Sequence, residues 1–198
     1  MRQQRDVRGF SLVEMVLVVA IIAIVSGIAV PQILNSSRQM KLSGAARQVE
    51  RELQTARMKA VKSNRAMRVR FNCPSAKQFR IVELLGSPQT PAADDADSSA
   101  AARCNTTNYP YPDNDPEFFA IPNNDGPRQT LPREVDFGSV QTIEFWADGS
   151  AHVQTGTTNP WPVIGTAGLS LTMQDVKYPS TMVKTITVNG LGKIELVR

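Results

Sequence analysis

Between residues 10 and 30 the chain is almost wholly Leu, Val, Ile, Ala and Met, and no other stretch limits its fold so severely. As a helix, about 21 such residues at ~1.5 Å each span ~30 Å, the thickness of a bilayer's hydrocarbon. Arg2, Arg5 and Arg8 precede the run against one acid, Asp6. The positive-inside bias therefore keeps the first residues cytoplasmic and sends the remainder outward. Inside the run lies one ionisable residue, Glu14, where a charge without a partner costs on the order of 3 kcal/mol. Glu14 follows Phe10 by one helical turn and shares its face. If a peptidase cut between Gly9 and Phe10, the new amino group would be a cation at the positive end of a helix dipole, unfavourable by itself. Glu14 would neutralise it, within its own chain or in a neighbour.

At these residues, Arg8-Gly9-Phe10-Ser11-Leu12-Val13-Glu14 with an unbroken apolar helix behind them and Pro31 just beyond, the sequence resembles the type IV pilin and pseudopilin superfamily. The resemblance implies cleavage after Gly9 by a membrane-embedded prepilin peptidase and N-methylation of Phe10. It also implies an assembly role for Glu14, which would pair with the terminal amine of a subunit already in the fibre. An ordinary secretory signal fits less well, because its apolar core runs roughly 7 to 15 residues before a small-x-small exit. This run is longer and carries its acid near the start.

After Pro31, a candidate helix kink, Leu42, Ala45, Ala46, Val49, Leu53, Ala56 and Ala60 recur at steps of three and four. They form one apolar stripe. The opposite face carries Arg47, Arg51, Glu52 and Lys62, and Asn64 is a plausible terminator after Ser63. The expected organisation is a leader over residues 1–9, a transmembrane half-helix over 10–30, an amphipathic half over 31–63 and a periplasmic head over 64–198. The element from Phe10 to Ser63 would be ~80 Å long, in keeping with the long-helix-and-head fold the resemblance implies. The protein would be single-pass in a bacterial inner membrane, with its N-terminus cytoplasmic.

Past the helix the period changes. Met67, Val69 and Phe71 alternate with Arg68 and Arg70, a strand with one buried face, and residues 78–85 return as its partner after Cys73-Pro74. Residues 86–102 are a polar low-complexity loop. Residues 105–132 are dominated by Pro, Asn and Asp, an irregular segment around Phe118-Phe119. Residues 140–146, Asp148-Gly149 and 151–154 spell strand, turn, strand. Alternating runs at 169–173, 183–188 and 193–197 complete a strand-rich head, so the fold class is α+β. Phe145 to Gly149 as F-x-x-D-G and the closing TITVNGLGKIELV narrow the resemblance to the GspH/FimT group of minor pilins and pseudopilins.

Net charge is only +4 over 198 residues, so charge placement says more than the total. From Arg57 to Arg80 come Arg57, Lys59, Lys62, Arg65, Arg68, Arg70, Lys77 and Arg80 with no acid, whereas residues 83–125 hold eight acids and one Arg. Two solvated faces account for this reversal; a sharper reading is complementary patches that meet between subunits. The basic run also motivates a second function, a DNA-uptake module contacting phosphates through Arg57, Lys59, Lys62, Arg65, Arg68 and Arg70. Against it, the Arg-rich GRxR signature of DNA-binding relatives is replaced by Gly192-Lys193-Ile194-Glu195.

The two cysteines, Cys73 and Cys104, both fall in the part read as lying outside. One disulfide is expected, closing a loop of about 30 residues and contributing ~3 to 4 kcal/mol, with free structural thiols as the alternative. Two Cys and the lone His152 make no metal-ligand set, so no metal and no cofactor are expected. Asp113, Asp115 and Glu117 have the first spacings of a calcium loop, but Phe118 stands where that loop needs Gly. No nucleophile-base arrangement, phosphate loop or dinucleotide fingerprint is present. Glu144 and Asp148 read as a solvated hairpin, and Trp146 and Trp161 as core or edge anchors. The expectation is a structural subunit and no enzyme. Its partners would be prepilin peptidase and the other pilins or pseudopilins of a helical fibre, in a type II secretion pseudopilus or a type IV pilus.

Overall fold

A computed structural model describes residues 11–91, 125–155 and 159–197. The chain divides into two compact units, Met1–Gln39 and Met40–Arg198. In the first, helix α1 (Leu12–Ser63) begins and runs unbroken through Pro31, whose missing N–H leaves the Gly27 carbonyl without its usual i+4 donor. Its large apolar side chains, Leu12, Val16, Ile21 and Ile28 among them, are exposed along their length.

In the second unit the remainder of α1 buries Leu42, Ala45, Ala46, Val49, Leu53, Ala56 and Ala60, the stripe its period predicts. Four of these are alanines, which let the helix approach its neighbours closely. The helix ends as Asn64 would require: Asn64 adopts φ +53° and the Arg65 N–H reaches back to the Ala60 carbonyl at 3.3 Å, the geometry of a Schellman cap.

Nine strands follow among the described residues: β1 (Met67–Phe71), β2 (Gln78–Glu83), β3 (Gln129–Thr130), β4 (Val135–Phe137), β5 (Ile143–Phe145), β6 (Ala151–Val153), β7 (Leu169–Asp175), β8 (Val183–Val188) and β9 (Ile194–Val197). They form two antiparallel sheets, in the orders β3-β2-β1-β5-β6 and β4-β7-β8-β9. The hairpins read from sequence are all present: β1–β2 pairs Met67 with Glu83, β5–β6 pairs Phe145 with Ala151, and β8–β9 pairs Val188 with Ile194. Strands β3 and β4 were not anticipated. Gln129–Thr130, inside the stretch expected to be irregular, pairs with Gln78–Phe79 and extends the first sheet.

The helix stripe and the inner faces of both sheets share one core, with Leu53, Met67, Phe79, Phe145 and Ile186 fully enclosed. Phe71, Phe79 and Phe137 join the sheets through edge contacts, with ring centroids 5.2 Å apart for Phe71–Phe137 and 5.8 Å for Phe79–Phe137. The second sheet alternates buried and open positions along β7, as a one-sided sheet should. The first does not: β1, β2 and β5 are buried on both faces. The single buried face expected for Met67–Phe71 is therefore corrected to two.

Candidate processing and assembly site

Gly9 and Phe10, the expected cleavage and methylation residues, lie outside the described residues. The structure does place the residues just after them. The Met15 N–H donates to the Ser11 carbonyl at 3.2 Å, so Ser11 stands at the N-cap of α1 and Glu14 in its first turn. Ser-x-x-Glu is the sequence of a capping box, in which the acid would reach back to the N-cap amide. Glu14 makes no such bond here; it is exposed, without a hydrogen bond or ion pair among the described residues. An acid beside a helix N-terminus gains about 0.3–1 kcal/mol from the dipole, well short of the ~3 kcal/mol cost of a charge in lipid. The helix dipole alone does not offset the cost of that charge.

The basic run proposed as a contact patch is largely consumed inside the fold. Arg68 and Arg70 are 2% exposed. Arg68 Nε donates to Glu144 Oε2 at 2.7 Å, and its guanidinium lies 4.0 Å from the centroid of the Trp161 ring. The same carboxylate accepts from Trp146 Nε1 at 2.6 Å. Arg65 pairs with Glu83 at 3.0 Å. Arg57 Nε and Nη2 donate to the carbonyls of Gly149 (3.1 Å) and Leu191 (3.0 Å), the turns of the β5–β6 and β8–β9 hairpins. Lys59 is half-buried; desolvation holds its ammonium below the ordinary lysine range, against the raising fields of Asp125, Glu52 and Glu83. Glu52 is displaced upward by the same desolvation, opposed by Lys59 and Arg51. Of the six residues, Lys62 alone is exposed without an internal partner among the described residues.

The physical reason is local. Alternation along β1 sends Arg68 and Arg70 to the outer face of the first sheet, and that face is covered rather than wet. Glu83 and Asp125, from the acidic stretch, meet Arg65 and Arg80 within the same chain, the latter at 3.9 Å. For these residues the charge reversal along the sequence is resolved intramolecularly, and nothing here supports the DNA-contact reading.

Other expected positions separate similarly. Glu144, read as part of a solvated hairpin, is 1% exposed, whereas Asp148 is at the surface. The Ser150 hydroxyl and amide bond to Asp148 Oδ1 (2.5 and 2.9 Å) and hold its carboxyl below the usual range. His152 lies in β6, buried. Its Nδ1 donates to the Trp161 carbonyl at 2.8 Å, Nε2 shares a hydrogen bond with Ser150 Oγ at 2.8 Å, and its ring stacks on Trp146 at 3.6 Å. Trp146 and Trp161 therefore act as anchors. Cys73 is buried; Cys104, the calcium-like Asp113, Asp115 and Glu117, and Phe118-Phe119 lie outside the described residues. Among the described residues no group of His, Cys, Asp and Glu is placed to hold a metal ion.

No curated protein matches the sequence. The chain is similar in structure to the minor pseudopilin EpsH from the type 2 secretion system of Vibrio cholerae, at 11% identity and TM-score 0.45 over 79% of this chain and 96% of that one. It is also similar to the type IV minor pilin FimU of Pseudomonas aeruginosa strain PAO1, at 16% identity and TM-score 0.42 over 79% and 93%. Over residues 4–30, the stretch holding Gly9, Phe10 and Glu14, the chain matches the family model of the prokaryotic N-terminal methylation motif.

Proposed function

We propose that this chain is a minor pilin or pseudopilin, a non-enzymatic structural subunit of a type IV pilus or a type II secretion pseudopilus. The observation that carries the reading is the methylation-motif match over residues 4–30, with Glu14 one turn after Phe10 in an otherwise apolar run. Prepilin peptidase cleaves between Gly9 and Phe10 and methylates the Phe10 amine. Before assembly, residues 10–30 hold the subunit in the inner membrane with residues 64–198 in the periplasm. On assembly, Glu14 meets the amine of a neighbouring subunit, which relieves the cost of its charge in lipid. A disulfide between Cys73 and Cys104 braces the head.

The test is Glu14→Ala, with leader removal and recovery in sheared fibres measured separately. Processing is expected to persist while incorporation falls at least tenfold. Normal incorporation would overturn the role of Glu14, and a mature protein retaining residues 1–9 in cells with working peptidase would overturn the whole reading.

A further inference from the structure

Among the described residues strand β9 forms one edge of the second sheet. Its bonding to β8 follows a fixed alternation. The Asn189 N–H donates to the Lys193 carbonyl at 3.1 Å, and the register pairs Val188 with Ile194 and Thr187 with Glu195. Bonded and non-bonded pairs alternate in an antiparallel ladder. Glu195 and Val197 therefore direct their N–H and C=O groups toward β8, and Ile194 and Leu196 direct theirs away from it. The two residues with outward-facing backbone are also the two whose side chains are half-buried against the core.

This edge opens on a groove and not on bulk solvent. A cavity of about 540 Å³ runs between β9 and the α1 turns carrying Ser43, Arg47 and Glu50. These three residues are spaced to share one helix face. Among the described residues neither Arg47 nor Glu50 is in an ion pair. The groove thus has a row of backbone donors and acceptors on one wall and Arg47 and Glu50 on the other, and Lys184 of β8 also lines it.

We propose that this groove accepts an extended segment of another polypeptide, added as a fifth strand beside β9. Only an extended backbone matches alternating N–H and C=O groups along a strand edge. The added strand exchanges bonds with Ile194 and Leu196. Its side chains at those two positions, two residues apart, point into the groove toward Arg47 and Glu50, so a segment with an acid at one and a base at the other is favoured. A second copy of β9 fits poorly. Pairing Ile194 with Leu196 of the copy sets Glu195 opposite Glu195, a like-charge contact, and brings a second helix wall to the same groove. The proposal uses only residues after 40 and does not rest on the processing reading.

The experiment uses the full chain in detergent micelles and a seven-residue peptide, acetylated and amidated, in which valines alternate with one Glu and one Lys. Amide hydrogen exchange at Ile194 and Leu196 is expected to slow at least tenfold on adding the peptide. N-methylating the peptide nitrogens that face β9 should weaken binding by about tenfold per lost bond, whereas methylating the alternate nitrogens should not. A protein carrying Arg47→Glu with Glu50→Arg, both on the helix surface, should prefer the peptide with its charges exchanged. Unchanged exchange at millimolar peptide, or indifference to which nitrogens are methylated, overturns the proposal. Protection of the same amides that grows with protein concentration alone overturns it in favour of a second copy.

Discussion

Replacing Glu144 with alanine tests whether the outer face of the first sheet is a closed polar layer. The Arg68 and Glu144 side chains are 3% and 1% exposed and meet at 2.7 Å. Removing the carboxylate takes from a buried guanidinium the counter-ion it meets at 2.7 Å, which costs about 3–5 kcal/mol. The Trp146 N–H loses its acceptor too, but Trp146 is half-buried and can turn to water, so this adds little. At about 2–4 °C per kcal/mol for a unit of this size, the midpoint should fall by roughly 6–20 °C. Both tryptophans of the chain, Trp146 and Trp161, lie in this layer, so their fluorescence during denaturant unfolding of the full-length protein reads the loss directly. Replacing both partners, Arg68→Met with Glu144→Leu, should recover most of the stability, because an apolar pair of similar volume leaves no orphan charge. A loss below ~1 kcal/mol in the single variant, or a double variant no more stable than the single, would refute the argument that the two charges are mutually dependent.

Gly192→Ala should cost about 2–4 kcal/mol, since φ is +73° and a Cβ would press into the Gly149 carbonyl and the Arg57 side chain; a denaturant midpoint within error of wild type would contradict it. Cys73→Ser should abolish a reduction-sensitive mobility shift and lower stability by ~2–5 kcal/mol if Cys73 and Cys104 are bridged; an unchanged non-reducing migration would speak for separate thiols. Asp148, held below its ordinary value of 3.8 by Ser150, contributes stability that is complete above that value and is lost as pH falls through the lower folded-state value. In Asp148→Asn the acid limb of the stability profile should accordingly be shallower between pH 4 and lower values; an identical acid limb would rule the contribution out.

The helix stripe was legible because seven apolar residues keep one period and Asn64 is a residue that tolerates positive φ. The hairpins were legible because alternation and Asp148-Gly149 or Asn189-Gly190 coincide. Strands β3 and β4, two and three residues long, carry no period to read. The misreading of Arg68 and Arg70 has a different cause. A pattern of alternate arginines sends them to water by default, and the carboxylate that permits burial of Arg68 is 76 residues away in sequence. The same distance problem hid the double use of Arg57, whose acceptors are main-chain carbonyls and leave no mark on side-chain identity. Position 14 stood out for the opposite reason: its neighbours are uniformly apolar, so one residue type was enough to mark it.

Arg57 is the point where a helical turn, the tip of one hairpin from the first sheet and the tip of one from the second are tied by a single planar group. Tension drawn along the last turns of α1 is therefore delivered to both sheets together, instead of peeling one from the other. Under a pull applied along that helix, the rivet would set which part yields first.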